Sequence, residues 1–220
     1  MPIAQNLLSI KSTLPDQVIL VAVSKTKPIS DLMQAYDAGQ RIFGENKIQE
    51  MAEKWQAMPK DIHWQMIGHV QTNKVKFMAP FVNLIHGVDS LKLLQEIDKQ
   101  AKKNKRIIDC LLQIHIAEEE TKFGLNEEEL IEILSGENLS EMKNIRITGL
   151  MGMATFTDNE NQVKKEFAHL KTIFNNLQTI KTTNCNLEIL SMGMSGDYRL
   201  AIDCGSTMVR IGSSIFGERN

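Results

Sequence analysis

Val18-Ile-Leu-Val-Ala-Val-Ser-Lys25 decides the fold of this chain. Four of its six apolar residues, Val18, Ile19, Val21 and Val23, are β-branched, which stiffens the side chain against a helix and suits a pleated surface. Unbroken apolar character with no polar alternation is what a parallel strand covered on both faces requires. Seven more short runs of this kind follow: Arg41 to Gly44, His63 to Gly68, Leu84 to Val88, Asp109 to Ile116, Arg146 to Met151, Leu187 to Met192 and Thr207 to Ile211. Longer stretches of helical period separate them, so strands and helices alternate.

The helices have readable ends. Ser30 precedes Asp31 as an N-cap with Gly39 as a stop, and Asp89 or Ser90 precedes Leu91, Leu94, Ile97 and Ala101. A third helix opens at Asn126, with Glu127, Glu128 and Glu129 in the first turn, where the helix dipole favours negative charge. A fourth carries Val163, Phe167, Leu170, Phe174 and Leu177 on one face. Eight strands each followed by a helix in 220 residues predict an α/β fold, a (β/α)8 TIM barrel with short loops. A doubly wound open sheet is the competing architecture. Ile3, Leu7, Ile10 and Leu14 lie on one helical face ahead of the first strand and predict an extra N-terminal helix packed on the barrel. Without a Pro/Gly/Ser-rich linker or an internal repeat, residues 1–220 read as one domain.

Composition narrows the function classes. Lys+Arg 25 against Asp+Glu 27 leaves a formal net charge of -2, with no basic field to hold a nucleic-acid backbone. No apolar run nears the roughly 20 residues that cross a bilayer, and the opening Met1-Pro-Ile-Ala-Gln-Asn-Leu-Leu8 has no basic segment followed by a long apolar one. The expectation is a cytoplasmic monomer with neither nucleic-acid nor membrane partners. Cys110, Cys185 and Cys204 are odd in number and far apart, which predicts buried or half-buried thiols rather than disulfides or a zinc site. His63, His69, His86, His115 and His169 show no metal-ligand spacing, so no metal site is expected. His69, after Ile67-Gly68, is a candidate for a pocket wall.

A barrel of this type carries its site at the C-terminal ends of its strands. Lys25 shares a face with Val21 and Val23. If that face points inward, apolar walls lower the ammonium pKa and free the amine for Schiff-base chemistry; otherwise the lysine snorkels outward. Lys27 has the same parity but precedes Pro28, which assigns it to an extended loop. Arg210 lies inside an apolar strand, where a guanidinium needs acceptors; a structural pairing with a carboxylate is the alternative to a ligand role. Gly212 and Ser213 follow it, at the usual phosphate position of the fold. In Ser191-Met-Gly-Met-Ser-Gly-Asp197, two glycines free the backbone and Ser195 offers a hydroxyl to an anion. Asp197 would repel that anion unless it turns away to cap the next helix. Asn46, closing Phe43-Gly-Glu-Asn46, either reaches a ligand or caps. Met151, Met153, Met192 and Met194 either fill the core or soften a pocket. An amine, an anion cradle and an arginine together suit a phosphorylated aldehyde, and pyridoxal phosphate and a sugar phosphate both answer to that description.

Ala22-Val-Ser-Lys-Thr-Lys-Pro28, Phe43-Gly-Glu-Asn46, His63-Trp-Gln-Met-Ile-Gly68 with Gln71-Thr-Asn-Lys74, Gly149-Leu-Met151, Ser191-Met-Gly-Met-Ser195 and Gly205-Ser-Thr-Met-Val-Arg-Ile-Gly212 resemble the pyridoxal phosphate homeostasis protein family nearly end to end. The resemblance implies a single-domain barrel like the N-terminal part of alanine racemase, pyridoxal 5'-phosphate held as a lysine aldimine, and no established turnover. It implies Lys25 as the aldimine lysine, Arg210 facing the pyridine nitrogen, and Ser195 with the backbone of Met194, Gly212 and Ser213 on the phosphate; Asn46 joins the cofactor-binding set. It also implies release of the cofactor to apo enzymes, in vitamin B6 homeostasis. The chain departs from the family pattern at Val70, where leucine is commoner, and at Gly196-Asp197-Tyr198-Arg199. A pyridoxal phosphate-dependent amino-acid racemase is the alternative, and it needs acid/base groups on both faces of the substrate carbon. In alanine racemase the second is a tyrosine from a C-terminal β-domain. This sequence runs to Asn220, soon after the eighth strand, and offers Tyr36, expected on a helix packing face, and Tyr198, expected after the seventh strand. A sugar-phosphate aldolase, the third reading, would be colourless.

Overall fold

The eight apolar runs pair side by side in chain order: β1 (Ile19–Val23), β2 (Ile42–Glu45), β3 (His63–Met66), β4 (Leu84–Val88), β5 (Ile108–Ile114), β6 (Ile145–Gly152), β7 (Cys185–Met194) and β8 (Met208–Ile211). The structure, a computed structural model, describes residues 2–118, 123–180 and 182–218. Every pairing is parallel, and β8 returns to β1 with Val21 opposite Arg210 and Ala22 opposite Ile211, so the sheet closes. Closure leaves no sheet edge exposed, and the open doubly wound sheet is excluded.

The helices are α1 (Ile3–Lys11), α2 (Ile29–Asp37), α3 (Ile48–Ala57), α4 (Val75–Met78), α5 (Leu91–Lys103), α6 (Glu127–Ser135), α7 (Glu137–Glu141), α8 (Glu160–Leu177), α9 (Tyr198–Asp203) and α10 (Ser213–Phe216). Two caps stand where the sequence sets them. Ser90 accepts from the Leu93 N–H, and Asn126 and Glu129 form a reciprocal capping box. Ser30 does not cap: α2 already begins at Ile29 behind Pro28, whose fixed φ of -69° starts the helix before the serine is reached. The N-terminal helix is present and buries Leu7 and Ile10, but it ends at Lys11 and leaves Leu14 in the following loop.

Strand alternation divides the interior into two parts. The outward row packs under the helices, where Val163, Phe167, Leu170, Phe174 and Leu177 of α8 are all buried. The inward row fills the barrel with a small apolar layer of Val21, Leu84, Leu111, Met151 and Met208. Two residues further along β4, β5 and β8, toward the C-terminal mouth, the inward positions turn polar: His86 follows Leu84, Gln113 follows Leu111 and Arg210 follows Met208. That change of character sets the floor of the mouth.

At Gly149 the β6 and β7 backbones approach so closely that a Cβ would sit 1.8 Å from the Ile189 carbonyl oxygen, whereas one at Gly196 meets nothing within 4 Å. Gly149→Ala is therefore expected to cost roughly 3 kcal/mol or more and to lower the Tm by on the order of 10 °C. Gly196→Ala should stay within about 0.5 kcal/mol of wild type. Thermal melts followed by circular dichroism compare the two; equal Tm values would contradict the close approach.

Candidate functional site

Arg210, Ser191, His86 and Gln65 form one connected chain of hydrogen bonds across the barrel. Arg210 donates from NH1 to the Ser191 carbonyl (2.9 Å) and to its Oγ (2.6 Å), and from NH2 to the Gly152 carbonyl (3.1 Å). His86 Nδ1 lies 3.1 Å from Ser191 Oγ, and its Nε2 lies 2.7 Å from Gln65 Oε1. With the Gln65 oxygen as acceptor, His86 carries its proton on Nε2, Nδ1 accepts from the Ser191 hydroxyl, and that hydroxyl oxygen accepts from Arg210. Each member fixes the next.

The charges follow from burial. His86 is fully buried, and burial, aided by the Arg210 cation, holds its pKa well below the ordinary 6.5, so it is neutral. Burial pulls Arg210 down to about 10, with Asp197 opposing, and the guanidinium stays a cation at neutral pH. Its partners are carbonyls and a hydroxyl, not the carboxylate of the structural alternative. They take three of its five N–H groups, and the other two have no acceptor among the described residues.

Above this floor opens a cavity of about 600 Å³, a size that takes a cofactor or other small ligand. Lys25, Asn46, Met194, Ser195, Arg210, Gly212 and Ser213, the candidates from the sequence, all line it. Lys25, two residues past the end of β1, lines the cavity, so the snorkelling alternative does not hold. Asn46 belongs to the wall and not to a cap, because Lys47 holds the N-cap position of α3 without a side-chain bond. Of the four methionines, Met153 and Met194 line the cavity, while Met151 and Met192 are core. Lys27 also lines it, with its Nζ donating to the Glu218 carbonyl at 2.8 Å.

The anion loop is closed on itself. The Met194 N–H donates to Asp197 Oδ1 at 2.5 Å and the Gly212 N–H donates to Ser195 Oγ at 3.2 Å. Asp197 thus neither caps α9 nor turns away: it stands at the N-cap position with no side-chain cap bond and lines the cavity. The Met194–Asp197 turn, closed by the Asp197 N–H donating to the Met194 carbonyl at 3.1 Å, brings the carboxylate back to the Met194 N–H. Gly212 lets the loop after β8 lie against β1, since a Cβ there would sit 3.1 Å from the Val23 carbonyl oxygen.

Three candidates lie elsewhere. His69 is not in the wall; its Nδ1 is 3.0 Å from Asp89 Oδ2 and its ring stacks on Phe123 at 4.2 Å. Tyr36 donates its hydroxyl to Asp61 at 2.9 Å, and the Tyr198 hydroxyl meets Thr13 and Arg199 at 3.4 and 3.2 Å. No tyrosine lines the cavity among the described residues. Two features were missed in the sequence. The first is the wall after β6, with Thr155, Phe156 and Asp158, held by buried Glu166, which accepts from the Thr155 N–H (2.6 Å) and Oγ1 (2.7 Å). The second is a buried lysine, Lys54, on the apolar face of α3 that also carries Ile48 and Met51. A lysine in register with that apolar stripe was the available signal. It pairs with Glu45, whose carboxyl pKa burial raises and Lys54 lowers.

The family model described as alanine racemase, N-terminal domain, matches residues 2–220. The pyridoxal phosphate homeostasis protein of Aquifex aeolicus (strain VF5) is 39% identical over 201 residues, covering 91% of this chain and 86% of that protein. The protein of the same name from Escherichia coli (strain K12) is 35% identical over 210 residues, covering 94% and 88%. The structure of PipY from Synechococcus elongatus PCC7942 with PLP bound has a TM-score of 0.88 at 35% identity, covering 98% of this chain and 100% of that one. Alanine racemase of Clostridium difficile 630 shares the fold, with a TM-score of 0.79 at 16% identity over 99% of this chain and 57% of that one.

The floor generates a pH prediction. Between the lowered pKa of folded His86 and its ordinary 6.5, only the unfolded chain binds the proton, so the stability His86 contributes is complete above about 6.5 and is lost as pH falls below it. Urea unfolding from pH 7.5 to 5 should show a His86 component of up to about 1.4 kcal/mol per pH unit. His86→Gln should remove that component, and identical slopes for the two proteins would contradict a neutral buried imidazole.

Proposed function

The chain belongs to the alanine racemase N-terminal domain family, and within it to the pyridoxal phosphate homeostasis proteins; from that premise we propose that its barrel mouth holds pyridoxal 5'-phosphate on Lys25 and releases it to apo enzymes in the cytoplasm, as a carrier rather than a catalyst. One observation carries this reading: the ends of β1, β2, β7 and β8 bring an amine, a buried guanidinium with two unassigned donors and a loop of backbone N–H groups into one cavity of about 600 Å³. Those groups fit the cofactor. Bound there, the cofactor would supply an aldehyde for condensation with the Lys25 amine, with loss of one water.

Arg210 would hold the pyridine nitrogen with its remaining N–H groups. A guanidinium only donates, so it favours the unprotonated nitrogen and leaves the ring a weak electron sink. Ser195 and the N–H groups of Met194, Gly212 and Ser213 receive the phosphate, with Asn46 in the wall. Met194 and Gly212 must first let go of Asp197 and Ser195, and losing those contacts offsets part of the binding energy. That balance suits a protein that must release what it holds. The racemase alternative needs a second acid/base group facing Lys25, and the lining residues supply no tyrosine for it. No helix among the described residues is long and apolar enough to cross a membrane.

Borohydride reduction of the loaded protein should fix one pyridoxyl group on Lys25, and Lys25→Ala should remove the visible absorption band. Label on Lys27 with Lys25 unmodified, located by peptide mass analysis, would contradict the anchor. Pyridoxal without its phosphate should bind on the order of 100-fold more weakly; comparable affinities would remove the phosphate role of the loops after β7 and β8. Loaded protein mixed with an apo pyridoxal phosphate enzyme should restore that enzyme's activity, and failure to do so at equimolar load would count against a carrier.

A further inference from the structure

Both peptide groups that flank Lys25 are gripped from outside the barrel by one ionic cluster, buried at Glu45 and Lys54 and half-buried at Glu50. Ser24, the first residue after β1, donates its Oγ to Glu45 Oε1 at 2.6 Å, and its carbonyl accepts from Lys54 Nζ at 2.8 Å. On the other side of Lys25, the Thr26 N–H donates to Glu50 Oε1 at 2.6 Å. Lys54 ties the halves together, with its Nζ 2.8 Å from Glu45 Oε1 and 2.7 Å from Glu50 Oε1. Its three ammonium protons are thereby fully engaged. Ser24 and Glu45 are 0% exposed and Lys54 5%.

The cluster holds an unfavourable backbone. Thr26 has φ 65°, in the left-handed region that a β-branched residue avoids. This single residue separates Lys25 from Lys27, and both lysines line the cavity. Ionised groups are an expensive way to fill a core, since apolar residues of the same volume serve stability as well or better. None of Ser24, Glu45, Glu50 and Lys54 lines the cavity, so the cluster acts on a ligand only through the backbone it grips.

We infer that Glu45, Glu50 and Lys54 are positioning residues that hold the Ser24–Thr26 backbone so that Lys25, and not Lys27, presents its amine to the aldehyde. The inference rests on Lys25 being the anchor. Loosening either clamp lets the Thr26 turn relax, moves Lys25 off its aim and gives Lys27 a share of the reaction.

The test compares wild type, Lys54→Met, Glu50→Ala and Glu50→Gln by titration of the visible band with pyridoxal phosphate, by the ratio of pyridoxyl-Lys25 to pyridoxyl-Lys27 after borohydride, and by Tm. Glu50→Ala removes the Thr26 clamp and leaves the Lys54–Glu45 pair in place, so it decides the question should Lys54→Met fail to fold. Both alanine and methionine variants should bind at least about tenfold more weakly and carry measurable label on Lys27. Glu50→Gln, which keeps an acceptor for the Thr26 N–H, should restore label to Lys25. A merely structural role would lower Tm without moving the label. Wild-type affinity with label on Lys25 alone in folded Glu50→Ala overturns the inference and leaves the carrier reading standing, whereas wild type without label on Lys25 overturns both.

Discussion

Closing eight parallel strands into a barrel gives each strand one inward and one outward row, and every inward residue near a C-terminal end then faces the same mouth. That constraint organises the molecule. Val21 and Val23 on β1 lead to Lys25 just past its end, as Leu84 leads to His86 on β4 and Met208 to Arg210 on β8, so apolar packing passes into polar floor and then into open cavity along one axis. The outward row does complementary work: Ser24 and Glu45 face α3, where Lys54 meets them. A one-residue slip of β1 would exchange the two rows and turn Lys25 into the helix layer.

The polar floor explains how a cation can sit in the middle of a barrel. Arg210 is 3% exposed, yet its charge is spread over two carbonyls and a hydroxyl, with neutral His86 and Gln65 extending the chain of bonds. An acidic partner there would neutralise the guanidinium; these neutral acceptors orient it and leave its charge directed at the cavity. The result is a donor presented to a ligand by a rigid network, in which each member depends on its neighbour.

Much of this was legible in the sequence because it rests on short-range pattern. The eight β-branched runs, the helical face from Val163 to Leu177 and the Asn126 capping box are local signals, and each has its element in the structure. Lys25 and Arg210 were visible as charges inside or at the end of apolar strands. What escaped depends on contacts distant in sequence or on competition between neighbours. Ser30 is a good cap in isolation, but Pro28 starts the helix ahead of it. Asp197 could be foreseen beside the loop after β7, whereas its bond to the Met194 N–H depends on how the Met194–Asp197 turn closes. Lys54 reads as the polar edge of an amphipathic helix until Glu45 and Ser24, 9 and 30 residues away, are brought against it.

The central claim is that this mouth holds an aldehyde without activating the α-carbon of an amino acid joined to it: a guanidinium on the pyridine nitrogen would weaken the ring as an electron sink, and no tyrosine lines the cavity among the described residues. Solvent deuterium incorporation into a panel of free L- and D-amino acids, measured by NMR with the loaded protein and with a Lys25→Ala control, tests it most directly. The account predicts no exchange above the control on either enantiomer; robust exchange that depends on Lys25 would contradict it and make the protein a racemase.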